Sequence, residues 1–264
     1  MNEIWCNGEW RTDLAASPLD RGHLLGLGLF ETLLAVDGKV RHAGRHLLRL
    51  AHGCERLGWE VPFPNLQDVM AELLVRRGLE TGRARVRLAL TAGSGAFDDL
   101  SQGDDFRLWI TAFPAPEPPM TVTTVLSPWP RNEHSPLVGI KCASYAENLI
   151  ALDYARRQGV DEVIFLNTAK NLCETATANL FIVKGEEIFT PSLDSGCLPG
   201  IGREILLDET HALEGALTLE DLHAADEVFF TSSTRGAVPI VRVGERHFPV
   251  GKVTREMNGI LNHP

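Results

Sequence analysis

Apolar and polar positions alternate at the start of the chain, where Ile4, Cys6 and Trp10 stand among polar neighbours. The alternation breaks at Asn7-Gly8, which predicts a β-hairpin. After a glycine-rich stretch from Gly22 to Gly28, the apolar run 29–36 reads as a strand that turns at Asp37-Gly38 and resumes at Lys39-Val40. Leu47, Leu50, Ala51, Cys54 and Leu57 recur at three- and four-residue steps, the mark of one helical face over 45–57. A second helix is expected over 66–77, and strands over 84–91 and 106–113. The stretch Phe113-Pro114-Ala115-Pro116-Glu117-Pro118-Pro119 then holds too many prolines for a helix or a central strand. Beyond it the pattern predicts a strand at 122–126, a helix over 146–157 and a strand at 162–166. Strands around 180–183 and 188–190, two helices, and strands at 228–231 and 238–243 follow. The expectation is an α/β (α+β) chain with an N-terminal domain at 1–113, a linker at 114–120 and a C-terminal domain at 121–264.

Composition narrows the function classes. With 35 acidic against 25 basic residues the net charge is −10, which offers nucleic acid or an anionic membrane no general attraction. No apolar run has the length of a spanning helix, and the opening residues lack the basic and apolar regions of a signal peptide, so the expected compartment is the cytoplasm. Five scattered cysteines without C-x-x-C spacing read as reduced thiols, mostly in the core, and no metal site is expected.

Only five of the 25 basic residues are lysines. Lys39, Lys170, Lys184 and Lys252 occupy turn contexts that suit a solvated ammonium. Lys141 lies instead in the apolar stretch Leu137-Val138-Gly139-Ile140-Lys141-Cys142-Ala143, at the expected end of a strand and just before a helix. Desolvation there would lower its pKa and make it a nucleophilic amine, although a lysine that snorkels to the surface fits the same pattern. Glu174 precedes Thr175-Ala176-Thr177-Ala178-Asn179, small and hydroxyl residues that would let a flat group approach, or it is a solvated turn carboxylate. Leu198-Pro199-Gly200-Ile201-Gly202-Arg203 leads into an amphipathic helix, either as a phosphate-binding turn or as a plain cap. Thr231-Ser232-Ser233-Thr234 sets four hydroxyls at a strand end, a second clasp for an anion or a turn.

Taken in order along the chain, these pieces resemble the class IV aminotransferases, the fold type IV pyridoxal 5'-phosphate (PLP) enzymes. The resembling segments are Leu27-Gly28-Leu29-Phe30-Glu31-Thr32, His46-Leu47-Leu48-Arg49-Leu50, Gly139-Ile140-Lys141, Cys173-Glu174 through Phe181, 195–203, and Phe230-Thr231-Ser232-Ser233. The resemblance implies that Lys141 binds the cofactor covalently and shuttles the substrate proton, and that Glu174 pairs with the pyridinium nitrogen. It implies that Arg49, the amides of Ile201 and Gly202, and the Ser233 hydroxyl hold the phosphate, with Asn179 in support. Gly202 departs from the family pattern, in which threonine is common, and Tyr145 stands where an aliphatic residue or arginine is usual. The resemblance also implies a homodimer.

Within the family, Ala92-Gly93-Ser94-Gly95-Ala96-Phe97-Asp98-Asp99 offers acid where a typical D-amino acid aminotransferase has a basic carboxylate trap. Phe30-Glu31-Thr32 and Arg235-Gly236 look more like 4-amino-4-deoxychorismate lyase, a lyase of folate synthesis, than like a branched-chain enzyme. Under that resemblance Thr32 assists proton transfer, and Arg235 or Arg131 meets a carboxylate. The alternatives are a transaminase acting on branched-chain or D-amino acids or on (R)-amines, and a catalytically silent PLP-binding protein.

Overall fold

The computed structural model describes residues 3–13, 17–59 and 65–262. By packing, the chain divides into two units, the first running to Glu117 and taking in Ile140–Tyr145, the second formed by Pro118–Gly139 and the chain from Ala146 onward. The sequence expectation ran the second domain unbroken from 121, and the difference lies in the segment around Lys141. That segment is not the end of a regular strand. Pro136 lacks an amide proton and Gly139 turns the chain at φ 78°, after which a single bridge joins Cys142 to Leu29. Phe30 N donates to Lys141 O at 3.0 Å and Ala143 N to Gly28 O at 2.7 Å, so the segment is tied to the first unit by backbone bonds.

The first unit contains β1 (Ile4–Cys6), β2 (Glu9–Arg11), α1 (Arg21–Leu25), β3 (Gly28–Val36), β4 (Lys39–Val40), α2 (Ala43–Leu57), α3 (Leu66–Arg77), β5 (Arg83–Thr91) and β6 (Arg107–Pro114). The predicted hairpin forms, with Asn7 and Gly8 both at positive φ. The six strands are antiparallel in the order β2-β1-β6-β5-β3-β4. Alternation along β3 and β5 gives the sheet two unlike faces. Leu29, Leu33 and Ala35 of β3 with Val86, Leu88 and Leu90 of β5 bury against Leu50 and Cys54 of α2 and Met70, Leu73 and Leu74 of α3. Phe30, Thr32, Arg85 and Arg87 stand on the other face.

The second unit contains β7 (Val122–Leu126), α4 (Ala146–Arg157), β8 (Glu162–Leu166), β9 (Leu172–Thr175), β10 (Asn179–Lys184), β11 (Glu187–Pro191), α5 (Ile201–Glu209), β12 (Leu213–Gly215), α6 (Leu219–His223), β13 (Glu227–Ser232), β14 (Gly236–Val243), β15 (Arg246–His247) and α7 (Lys252–Asn262). Strands β10, β13, β14, β7, β8 and β9 follow one another, and the pair Asn179–Glu174 joins β9 back to β10, closing a six-stranded barrel. Strands β11 and β12 extend from β10. The barrel is filled by residues such as Ile164, Leu180, Ile182, Phe230, Val238 and Ile240, while Phe181 and Phe229 stack at 4.9 Å in a separate cluster with Leu206 and Met257. The predicted helices and strands are present, and α1, β9, β12, β15 and α7 are additional. All five cysteines are free thiols, four of them buried. Among the described residues no helix is long and apolar enough to cross a membrane.

Candidate active site

In the first unit, Lys141 is half-buried, with its Nζ 4.5 Å from the centroid of the Phe30 ring and 6.0 Å from that of Tyr145. The Tyr145 ring meets Phe30 edge-on at 5.5 Å. The ammonium therefore rests on an aromatic surface, which accommodates the cation by its quadrupole. Thr32, two residues along β3 from Phe30, shares that face and accepts a hydrogen bond from Arg87 Nη1 at 3.3 Å. The other lysines have plainer settings: Lys184 pairs with Asp221 at 2.5 Å, Lys252 with Glu256 at 3.4 Å, and Lys170 occupies a turn at φ 66°.

Arg49 answers to a partner the sequence reading did not supply. Its Nε and Nη2 donate to the two oxygens of Glu31 at 2.8 and 2.6 Å, and His46 Nδ1 lies 2.7 Å from Glu31 Oε2. Glu31 and His46 are both 1% exposed. Burial alone would raise the Glu31 pKa, but the hydrogen bonds and charges of Arg49 and His46 prevail and hold it at about 2 rather than 4.5. Burial also pushes the His46 pKa down, against the pull of Glu31. A depressed carboxyl pKa contributes stability above its unfolded value and loses it as pH falls through the folded one. Acid titration from pH 4.5 to about 2 is therefore expected to remove on the order of 3 kcal/mol from the first unit. In Glu31→Gln, urea unfolding followed across that range should show a flatter slope; an unchanged slope would assign the acid sensitivity elsewhere.

In the second unit the predicted residues converge around the barrel closure. Glu174 Oε2 accepts from Leu198 N at 3.0 Å, and its Oε1 faces Arg131 Nη2 at 3.5 Å. Asn179, opposite Glu174 across the closure and opposite Thr231 on its other side, donates from Nδ2 to Leu198 O at 2.8 Å. Gly200 packs directly on that amide: a Cβ there would fall 1.8 Å from Asn179 Oδ1. Gly200 also caps α5 without a side-chain acceptor, so the cap offers nothing to the first-turn amides, those of Ile201 and Gly202 among them. Beside them Thr231, 2% exposed, keeps its Oγ1 without a hydrogen-bond partner, and a Cβ on Gly202 would lie 3.2 Å from Thr231 Cβ. Ser233 is in the turn between β13 and β14, and Arg235 braces that turn by donating to Ser232 Oγ at 3.0 Å and Thr177 Oγ1 at 2.7 Å. Thr177 in turn donates to the buried Glu162 at 2.5 Å. Burial raises the Glu162 pKa, with Thr177 and Arg235 opposing.

Arg131 proves to be occupied. It pairs with Glu147 at 2.6 Å as well as with Glu174, and its guanidinium stacks 4.2 Å from the Phe165 ring. Two carboxylates of the chain share its charge, while its buried Nε and Nη2 have no hydrogen-bond partner among the described residues.

Residues 28–243 match the model of the family described as amino-transferase class IV. The chain belongs to that family. Among the relatives of this class IV chain is an aminodeoxychorismate lyase of Bacillus subtilis, 30% identical over 93% of this chain and 88% of the relative. The structure of a branched-chain aminotransferase from Thermoproteus uzoniensis with norvaline superposes with a TM-score of 0.87 at 25% identity, covering 98% and 93% of the two chains. The PLP-bound structure of a hypothetical aminotransferase from Mycobacterium tuberculosis shares the fold with a TM-score of 0.84 at 21% identity, over 98% and 97%. The fold is accordingly fold type IV, and the class IV chain is a PLP-dependent enzyme. The second unit fits such a group on its own evidence: a helix start without a side-chain cap and an unpaired buried hydroxyl suit a phosphate, and a carboxylate pinned by an amide and a guanidinium suits a protonated ring nitrogen.

The sequence reading passed over Glu31, His46, Arg85 and Arg87. For the arginines a signal existed, since Arg83, Arg85 and Arg87 alternate with apolar residues through a predicted strand.

Proposed function

We propose that the protein is a 4-amino-4-deoxychorismate lyase, a cytoplasmic homodimer of folate synthesis that converts its substrate to 4-aminobenzoate and pyruvate. The observation that carries this reading is Thr32, whose hydroxyl shares one sheet face with Phe30 while Lys141 rests on that same ring. The likeness to the Bacillus subtilis lyase supports it.

When bound, PLP supplies an electron sink for the pair released at the substrate's amine-bearing carbon. Lys141 would bind the cofactor through Nζ, then take the proton from that carbon at the same atom. Thr32 Oγ1 would assist the transfer. Glu174 would hold the ring nitrogen protonated. The amides of Ile201 and Gly202, the Ser233 hydroxyl and Arg49 would hold the phosphate, with Asn179 fixing the turn around Gly200. The carbon–oxygen bond to the enolpyruvyl group breaks, the departing enolate takes a proton to become pyruvate, and the ring becomes aromatic. Atoms balance without any oxidant or keto acid.

A second reading, PLP-dependent transamination of an amino acid, draws on the likeness to the branched-chain aminotransferase. Mixing holoenzyme with aminodeoxychorismate in the absence of keto acid separates the two. The lyase is expected to release 4-aminobenzoate and pyruvate over many turnovers. No product, together with conversion to the pyridoxamine form by amino acids or amines, would establish the transaminase.

A further inference from the structure

Glu162 is a buried carboxylate at the start of β8. Its Oε1 accepts from the amides of Val163 at 3.1 Å and Ala176 at 3.2 Å, and its Oε2 accepts from the Thr177 hydroxyl at 2.5 Å. A buried charge needs a counter-charge. Here the cation stands one hydroxyl away, because Arg235 Nη2 donates to the same Thr177 Oγ1 at 2.7 Å. An ionised carboxylate only accepts and a guanidinium only donates, so the Thr177 proton goes to Glu162 and its lone pairs face Arg235. A glutamine at 162 could not do the same work: three donors converge on this side chain, and an amide presents one accepting atom to them.

Both ends of this relay lie beside residues assigned above to the cofactor. Ala176 and Thr177 belong to the loop between β9 and β10, at whose base Glu174 faces Asn179. Arg235 ends the turn that carries Ser233. Its backbone N donates to Ser232 O at 3.2 Å and its Nε to Ser232 Oγ at 3.0 Å, while its guanidinium lies 4.3 Å from the centroid of the Phe230 ring. Ser232 and Phe230 belong to β13 and move with the turn; Thr177 ties the Arg235 flank to a different hairpin. The opposite flank is anchored separately by α7. Ala237 N donates to Asn258 Oδ1 at 3.1 Å, and a Cβ on Gly236 would fall 2.4 Å from that oxygen.

We infer that Glu162 is a positioning residue for the cofactor phosphate: by orienting the Thr177 hydroxyl it captures Arg235 and so fixes the turn that presents Ser233. The inference rests on the reading of Ser233 as a phosphate ligand, and extends it to a buried carboxylate two hydrogen bonds away from the turn.

Titration of the full-length apoenzyme with PLP and with pyridoxal, which lacks the phosphate, separates positioning from general damage. Thr177→Val keeps the shape of the side chain and removes the hydroxyl. It is expected to weaken PLP binding about tenfold and to leave pyridoxal within about twofold, and Thr177→Ser should restore most of the PLP affinity. Glu162→Gln and Arg235→Met should each show the same phosphate-specific loss. Combined, they should still lose about tenfold, where independent sites would lose about a hundredfold. Equal weakening of PLP and pyridoxal in Thr177→Val, PLP affinity within about twofold of wild type in that variant, or additive losses in the double variant would each overturn the relay. Ser233→Ala tests the reading beneath it. If that variant keeps its PLP affinity while Glu162 and Arg235 remain coupled, Ser233 falls as a phosphate ligand and the relay stands. If it shows the phosphate-specific loss and the Thr177 and Glu162 variants do not, the relay alone falls.

Discussion

Lys141→Ala is expected to lower turnover by about four orders of magnitude while the chain still folds. The side chain is half-buried on the rings of Phe30 and Tyr145 and supports no core, so its loss exposes aromatic surface without opening a cavity. Lys141→Arg keeps a cation over Phe30 and should be equally inactive, which separates the reactive amine from the charge. A readout independent of rate is available. After borohydride treatment, the wild-type peptide containing Lys141 should carry the mass of the reduced cofactor, and neither variant should. Activity within about tenfold of wild type in Lys141→Ala would remove the lysine from the chemistry.

Arg21→Met should give the largest loss of stability of any single substitution in the first unit. Arg21 is fully buried, yet it forms no ion pair among the described residues. Its guanidinium donates instead to five carbonyls: Gly93 at 3.1 Å, Asp99 at 2.7 Å, Ala92 at 3.3 Å, Ser94 at 3.4 Å and Ser101 at 2.6 Å. The loop after β5 is wound around this one cation, so closely that a Cβ on Gly95 would fall 2.6 Å from its Cζ. Methionine fills much of the volume but leaves several carbonyls without a donor, each costing about 1–3 kcal/mol where burial is complete. Partial access of water to the loop reduces the sum to about 3–5 kcal/mol, a drop in melting temperature of roughly 6–15 °C. Arg21→Lys, with three donors in place of five, should recover less than half. A melting temperature within about 2 °C of wild type in Arg21→Met would mean that the loop orders itself without the cation.

The contrast between Arg21 and Lys141 shows what was legible in the sequence. Lys141, Glu174, Asn179 and the turn at Gly200 to Gly202 stood out because their signals are local: an amine in an apolar stretch, or glycine and hydroxyl residues next to a helix or strand. Arg21 has no such neighbourhood, for its partners lie 71 to 80 positions away. The pairing of Glu31 with Arg49 is hidden in the same way, since it joins a strand to the opposing face of a helix. Other omissions were readable. Helix α7 repeats Val253, Met257, Ile260 and Leu261 at helical spacing, all packed on the Phe181 cluster, and the arginine row of β5 follows the strand period. The barrel closure is harder to foresee, because β9 has four residues and meets β10 through a single pair. The irregular segment around Lys141 follows from Pro136 and Gly139, but its attachment to β3 by backbone bonds is a tertiary choice that propensity does not express.

The barrel also sets an order of events during synthesis. Its closure between Glu174 and Asn179 joins neighbours in sequence, whereas β7 pairs in parallel with β14, bringing Val122 beside Ile240. The local seam can form as soon as its hairpin is made; the distant one waits for more than a hundred further residues, and such long-range parallel pairing is slow. A nascent chain halted before Gly236 would hold β7 with one edge unpaired, an open template for another chain. Release of the C-terminal strands from the ribosome is thus the step at which that edge can be covered and the barrel completed.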